Sequence, residues 1–129
     1  MSVRIVQLGS KRGRNEGLRV GTVRRPPRGV RSSRLASLDY YDVWFPTLAP
    51  SAQAVAAVRG DASKGSWQRF VRRYRSEMAR PEASRTLDLL AALSHTANFS
   101  VGCYCEDESR CHRSLLRQLL KEHGAKLGN

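Results

Sequence analysis

The chain has 129 residues, of which 40% are hydrophobic and 26% are charged, and its formal net charge is +12. This length and balance predict one soluble globular domain over residues 1–129 and exclude a small scaffold that depends on disulfides. The sequence has no apolar run of the roughly 20 residues that a membrane-spanning helix needs, and no signal-peptide core near its start. We therefore expect a cytoplasmic protein that does not contact a membrane.

The first half of the chain is predicted to contain three short strands. Residues 3–8 and 18–23 are rich in β-branched side chains, and residues 40–45 form a third extended segment. Loops rich in Gly and Pro separate these segments. Ser51 is placed to cap a short helix that runs to about residue 59.

The second half is predicted to be helical apart from one strand. Residues 67–78 carry apolar side chains at helical spacing, and Pro81 begins a helix that runs to about residue 95. Residues 99–104 form a β-prone segment, and a last helix runs over residues 111–123. The apolar face of that helix consists of Leu115, Leu116, Leu119 and Leu120.

This alternation of strands and helices predicts the fold class. Strands that are separated by helices pair in parallel, because parallel strands need a crossover connection. We expect a single layered α/β domain with a small, mostly parallel sheet flanked by helices. In such folds a ligand crevice lies at the carboxyl ends of the strands.

The positive charge is concentrated in the amino-terminal third of the chain. Residues 1–35 contain ten Lys or Arg residues against one acidic residue, Glu16. Such a bias indicates a surface for phosphate groups, on a nucleotide or on nucleic acid, and the alternative is an arginine-rich face that is merely solvated. The predicted partner is therefore an anionic small molecule or nucleic acid.

The strongest local signal is the segment 99–116, which contains all three cysteines and the only Cys-His-Arg run. Cys111 is predicted to lie at the N-terminus of the last helix. A thiol at that position has its pKa lowered by the helix dipole and by a neighbouring arginine. We predict Cys111 as a nucleophile and His112 as an acid or base, if the protein is an enzyme. The alternatives are a buried packing role for Cys111 and a hydrogen bond from His112 to a loop carbonyl.

A set of polar residues around these two is predicted to bind the ligand. Arg113 offers a guanidinium fork for a phosphate or carboxylate, and we expect it to share one site with Arg28. Glu106 is predicted to line the same site, and the alternative is a structural ion pair with Arg113 or Arg28. The predicted ligand-binding residues are Arg24, Arg28, Cys105, Glu106 and Arg113.

No metal or cofactor is predicted. Cys103, Cys105, Cys111 and His112 offer four possible metal ligands. An adjacent Cys-His pair at a helix start is not expected to reach one ion, and zinc sites usually use wider cysteine spacing. The sequence also has no Gly-x4-Gly-Lys-Ser/Thr loop and no Gly-x-Gly-x-x-Gly motif after a strand.

Aromatic residues before the central prolines are a weaker signal. Tyr40 and Trp44 belong to the third extended segment. They are expected to close an edge of the core, and the alternative is a wall on which a nucleic-acid base stacks.

Two motifs resemble the family named domain of unknown function 488. The run from Gly17 to Val30, which includes Pro27-Arg28-Gly29, is similar to its YeaO-like branch, and Cys105-Glu106 with Cys111-His112-Arg113 is similar to the wider family. The resemblance spans nearly the whole chain and implies a compact α/β domain with both motifs at the strand ends. The family commonly has Asp at the position of Val23, so any chemistry that depends on this Asp is missing here.

Together these features predict an α/β protein that binds an anionic ligand, a nucleotide or a nucleic-acid phosphate, in a strand-end pocket. Whether the protein is also an enzyme stays open. The alternative function is a non-catalytic nucleic-acid-binding module that acts through the basic amino-terminal third.

Overall fold

The computed structural model describes residues 1–60 and 63–128 and contains one four-stranded sheet, in which every described pairing is parallel. The strands are β1 (Val3–Gln7), β2 (Leu18–Gly21), β3 (Val43–Trp44) and β4 (Phe99–Cys103), in the order β1-β4-β2-β3. The described helices are α1 (Ala52–Ala56), α2 (Lys64–Met78), α3 (Pro81–Leu93) and α4 (His112–Glu122). Short 3-10 turns cover Ser32–Arg34, Pro46–Leu48 and Glu108–Arg110. The predicted α/β fold class is confirmed.

β4 is the central strand that fixes the position of the site. It lies between β1 and β2 and is buried along its whole length. Val101 pairs with Ile5 on one side and with Val20 on the other. Gly102 approaches β1 so closely that a Cβ atom there would lie 2.2 Å from the carbonyl oxygen of Val6. Because the three strands are parallel, their carboxyl ends open on the same edge of the sheet.

The main hydrophobic core contains residues of the sheet and of helices α2, α3 and α4. The leucine face that the sequence predicts for α4 is buried. The Tyr74 hydroxyl donates a hydrogen bond to the Leu48 carbonyl at 2.7 Å, which satisfies the one polar group of a fully buried ring. A second, smaller cluster, which includes Cys103 and Cys111, lies near the carboxyl ends of β1 and β4. Among the described residues, no helix is long and apolar enough to cross a membrane.

Several elements are shorter than the sequence predicts. β3 has only two residues. Just before it, the Asp42 N–H donates to the Arg19 carbonyl, and the Asp42 carboxylate accepts from the Arg19 N–H, each at 2.8 Å. β2 ends at Gly21 and β4 at Cys103, so each leaves the sheet before the predicted last residue. α1 begins after Ser51, whose hydroxyl accepts from the Ala54 N–H as expected for an N-cap, but it ends at Ala56.

A buried ion pair holds the start of β2. Glu16 and Arg19 are 4% and 0% exposed. Arg19 donates from Nε and Nη2 to the two carboxylate oxygens at 2.7 and 3.0 Å, and the Ser100 hydroxyl donates at 2.7 Å. Burial raises the pKa of Glu16, but the hydrogen bonds from Arg19, from the Gly13 N–H and from Ser100 outweigh it and lower the pKa to about 2.

Arg12 extends this ion pair to the surface. It donates to both carboxylate oxygens of Asp42, at 2.8 and 3.0 Å, and to Asp39 at 3.2 Å. We call Arg12, Glu16, Arg19, Asp39 and Asp42 the loop network. It neutralises two of the arginines in the basic third of the chain.

Candidate functional site

A cleft of about 370 Å³ opens at the carboxyl edge of the sheet, which is where parallel α/β proteins bind ligands. One wall is residues 23–28, the segment that follows β2. Residues 103–105, at the end of β4, and His112, at the start of α4, line another part of it. Pro50 and Val55 add an apolar surface. The two motifs that carry the family resemblance thus lie on the same cleft.

Three arginines of the first wall are available to a ligand. Arg24, Arg25 and Arg28 line the cleft and are exposed. Among the described residues their guanidinium groups have no hydrogen-bond or ion-pair partner. Pro26 and Pro27 lie between them and restrict the backbone that carries them. We call these three residues the cleft arginines. Unpaired guanidinium groups beside a concavity attract phosphate and carboxylate groups.

A compact cluster of donor atoms lies where β4 ends and α4 begins. One donor atom each of Cys103, Cys111 and His112 lies within 4.8 Å of the other two. The Sγ atom of Cys111 and the Nδ1 atom of His112 are 3.7 Å apart. We call these three residues the Cys-His cluster. An adjacent Cys-His pair at a helix start was not expected to reach one ion, whereas here the two donor atoms lie together. The reason is that Cys111 is the extended N-cap of α4, with φ −126° and ψ 152°, and only His112 is helical.

The orientation of the His112 ring is fixed by the backbone of the neighbouring strand segment. Its Nε2 atom lies 2.9 Å from the carbonyl oxygen of Thr22. A carbonyl can only accept, so Nε2 carries the proton and Nδ1 presents a lone pair towards Cys111. The ring also packs on Tyr74, with the centroids 5.6 Å apart. Burial lowers the pKa of His112 to about 4, so the ring is neutral at pH 7. This is the carbonyl-bonded alternative that the sequence left open.

The three thiols differ in access. Cys103 and Cys111 are each 2% exposed, whereas Cys105 is exposed and lines the cleft. Hydrogen bonds from the Cys103 and Cys111 thiols lower the pKa of Cys105, and the same contacts, with burial, raise that of Cys103. For Cys111 a hydrogen bond with Cys103 favours the thiolate, but contact with Cys105 and burial oppose it, and its pKa is raised. The lowered pKa that we predicted for Cys111 is thus found at Cys105 instead.

Arg113 and Glu106 do not occupy the positions that the sequence suggested. Arg113 is 4% exposed, and its Nη2 atom donates to the carbonyl oxygen of Cys105. Its Nε atom has no hydrogen-bond partner among the described residues. Arg28 and Arg113 lie at the same edge of the sheet, but only Arg28 lines the cleft. Glu106 is exposed and forms no ion pair within the described part of the chain, so the expected pair with either arginine is wrong.

Three residues of this region, Thr22, Arg25 and Tyr104, were not singled out by their sequence context. Thr22 holds the His112 ring through its carbonyl, a role that no side-chain pattern reveals. Arg25 could be found only from the density of arginines in this segment. Tyr104 lines the main cleft and also an adjoining cleft of about 450 Å³. Pro27 is likewise shared by both clefts.

The two aromatic residues of the third extended segment have different surroundings: Tyr40 packs against the smaller hydrophobic cluster, as expected for a core edge, whereas Trp44 is 45% exposed and is not part of either cluster. Tyr40 lines the adjoining cleft, and its ring meets that of Tyr104 edge to face at 6.0 Å. Trp44 instead donates from its indole N–H to the carbonyl oxygen of Val23 at 2.7 Å. Val23, at the position where the resemblance leads us to expect Asp, is a buried residue of the smaller hydrophobic cluster.

The chain is a small parallel α/β domain with an arginine-lined cleft at the carboxyl ends of its strands. A family model described as the active DUF488-N3 subclade matches residues 3–124. The chain therefore belongs to the DUF488 family, as its motifs indicated. No curated protein and no solved structure matches it.

Proposed function

We propose that the cleft at the carboxyl edge of the sheet binds a phosphate-bearing ligand, either a nucleotide or a nucleic-acid phosphate. The observation that carries this proposal is the set of cleft arginines, three exposed guanidinium groups without a partner among the described residues, all on one cleft. A guanidinium group recognises phosphate through paired hydrogen bonds, and several around one site add their charge. The volume of about 370 Å³ is that of a small-molecule site.

The adjoining cleft supports the nucleotide part of the proposal. Arg28 lines both clefts, and Tyr40 and Tyr104 line the adjoining one. A base that stacks on tyrosine gains roughly 1–3 kcal/mol, whatever its identity. A ligand with its phosphate at Arg28 can therefore place its base against these two rings. A ligand without a base would use only the arginines.

A second candidate function is a nucleic-acid-binding module without a defined pocket. Arg31 and Arg34 are exposed and continue the positive surface beyond Arg28. Binding of this kind depends on the total charge of the surface rather than on the cleft. The loop network reduces the charge available to it, because Arg12 and Arg19 are already paired.

The two candidates are separated by fluorescence titration of the purified protein with a labelled single-stranded DNA oligonucleotide, and by calorimetry with a nucleoside monophosphate. The test variant replaces the cleft arginines by Ala. The matched control replaces Arg69, Arg72 and Arg85, three exposed arginines of α2 and α3, and so removes the same charge elsewhere.

We expect the test variant to lose at least tenfold in affinity for both probes and the control to lose less than threefold, since a hydrogen bond to a charged group contributes about 1.5–3 kcal/mol. Equal losses of oligonucleotide binding in the two variants, with no nucleotide binding in either, would favour the module without a pocket. Unchanged binding in the test variant would refute the cleft proposal.

A further inference from the structure

We propose that Cys103, Cys105, Cys111 and His112 form a zinc site at the junction of β4 and α4. The inference goes beyond the proposed ligand binding and does not depend on it. Three of these residues already bring one donor atom each within 4.8 Å of the others. The donor atom of Cys105 lies outside this 4.8 Å group, but its thiol interacts with those of Cys103 and Cys111, so we assign it as the fourth ligand from the exposed side of the cluster.

The measured separation of two donors suits a tetrahedral ion. Zinc binds sulfur at about 2.3 Å and imidazole nitrogen at about 2.1 Å, so a tetrahedral site separates such a pair by about 3.6 Å. The Sγ atom of Cys111 and the Nδ1 atom of His112 are 3.7 Å apart. The adjacent residues can share an ion because Cys111 is extended and His112 is the first helical residue.

His112 is prepared as a ligand by its contact with the backbone. Its Nε2 atom lies 2.9 Å from the Thr22 carbonyl oxygen and holds the proton, which leaves Nδ1 free and turned towards the sulfur atoms. Metal-binding histidines generally donate their second N–H to a carbonyl or carboxylate in this way. Binding of zinc therefore displaces no proton from His112 and one proton from each thiol.

Arg113 is the second observation that points to a bound ion. It is 4% exposed and has no ion-pair partner among the described residues, and its Nε atom has no hydrogen-bond partner. Asp107 and Glu108 interact with Arg113 only at longer range, and a buried cation without a direct ion pair is costly. Three thiolates and one zinc ion leave one net negative charge beside it.

The choice of zinc follows from the donors. Thiolate and imidazole are soft and borderline ligands, and four of them in a tetrahedral arrangement favour zinc over magnesium or calcium, which take oxygen. Cys105 lies on the cleft side, where it is exposed, whereas the other three ligands are buried. The site would fix the end of β4 to the start of α4.

The test uses the full chain with zinc and cobalt(II) as the probes. The protein is purified without chelator and its zinc content is measured by mass spectrometry. The metal-free protein is then titrated with cobalt(II), and visible and near-ultraviolet absorption report tetrahedral thiolate coordination. We expect one zinc ion per chain, a thiolate-to-cobalt band, and a lower melting temperature after zinc is removed.

Variants assign the ligands. Cys103→Ser and His112→Gln should each lose the bound zinc, whereas His95→Gln, a change at an exposed histidine outside the cluster, should keep it. Cys105→Ser replaces an exposed residue, so it should stay folded while the thiolate band falls by about a third, since one of three sulfur ligands is gone. Wild-type protein that takes up neither metal overturns the proposal. So does zinc retained at wild-type affinity by folded Cys103→Ser or His112→Gln protein, or a thiolate band that Cys105→Ser leaves unchanged.

Discussion

The arginines of the amino-terminal third fall into two groups with opposite roles. Arg12 and Arg19 belong to the loop network, where carboxylates occupy their guanidinium groups. The cleft arginines follow within nine residues of Arg19 and have no partner among the described residues. Both groups count equally in the net charge. The difference lies in the acidic residues that the fold brings to them, since Asp39 and Asp42 are more than twenty positions away from Arg12 in sequence.

This difference changes how the basic composition should be interpreted. An arginine that is paired in the folded protein stabilises the fold and offers little to a polyanion, whereas an unpaired one at a cleft contributes mainly to binding. The net charge of residues 1–35 is therefore too coarse a guide to which of their arginines a ligand can contact. Replacing a paired arginine should lower the stability of the fold, whereas replacing a cleft arginine should weaken ligand binding.

The largest effect is expected from Arg19→Met. This change leaves the Glu16 carboxylate buried without its counter-charge, so the free energy of unfolding should fall by about 3–5 kcal/mol. Urea unfolding followed by circular dichroism measures the loss. Arg25→Met, an exposed cleft arginine, is the control and should change stability by less than about 0.5 kcal/mol. Equal stability of the two variants would contradict the assignment of Arg19 to the fold.

The pH dependence of stability should show the same ion pair. The folded-state pKa of Glu16 is lowered from 4.5 to about 2, so its contribution is present above pH 4.5 and is lost as the pH falls towards 2. The difference corresponds to about 3 kcal/mol. Stability measured from pH 6 to pH 2 should therefore decline less for Glu16→Gln than for the wild type. Parallel curves for the two proteins would show that Glu16 titrates normally.

A smaller change, in binding rather than stability, is expected from Arg28→Ala. Arg28 lines both clefts, so its loss should weaken nucleotide binding about tenfold. Combining it with Tyr40→Ala should give a non-additive loss if one ligand spans both clefts. Calorimetry on the single and double variants measures the coupling. Additive losses would mean that no single ligand contacts both Arg28 and Tyr40.

The smallest effect concerns salt. Each phosphate contact contributes about 0.7 to the slope of log affinity against log salt for a single strand. Replacing the three cleft arginines should reduce this slope for an oligonucleotide by about 2, whereas Arg12→Ala should leave it nearly unchanged. Titrations at salt concentrations from about 50 to about 200 mM give the slopes. An equal reduction of the slope in the Arg12→Ala variant would mean that Arg12 contributes to phosphate binding although it is paired with carboxylates.

The sequence predicts most of the fold because its local signals agree. The apolar spacing of α2, the proline that begins α3 and the leucine face of α4 all match the structure. The errors lie at the ends of the strands. Next to β3, Asp42 contacts Arg19 through both its backbone N–H and its carboxylate, although the two residues lie 23 positions apart. No local pattern contains that contact.

The sequence predicted where the candidate site lies, but it did not predict which cysteine faces the cleft. Parallel strands implied a cleft at their carboxyl ends, and Arg24, Arg28, Cys105 and His112 line it. Which thiol faces the cleft depends on where β4 ends and on the extended conformation of Cys111 at the helix start. Both are set by tertiary packing.

The central claim, that the fold occupies one group of arginines and leaves the other for a ligand, is tested most directly by nuclear magnetic resonance. The Nε–Hε signals of the arginines are followed while a nucleoside monophosphate, and then a short single-stranded oligonucleotide, is added. We predict that the signals of Arg24, Arg25 and Arg28 shift on binding and that those of Arg12 and Arg19 stay in place. Shifts of Arg12 and Arg19, or the absence of shifts at the cleft arginines when ligand is bound, would contradict this account.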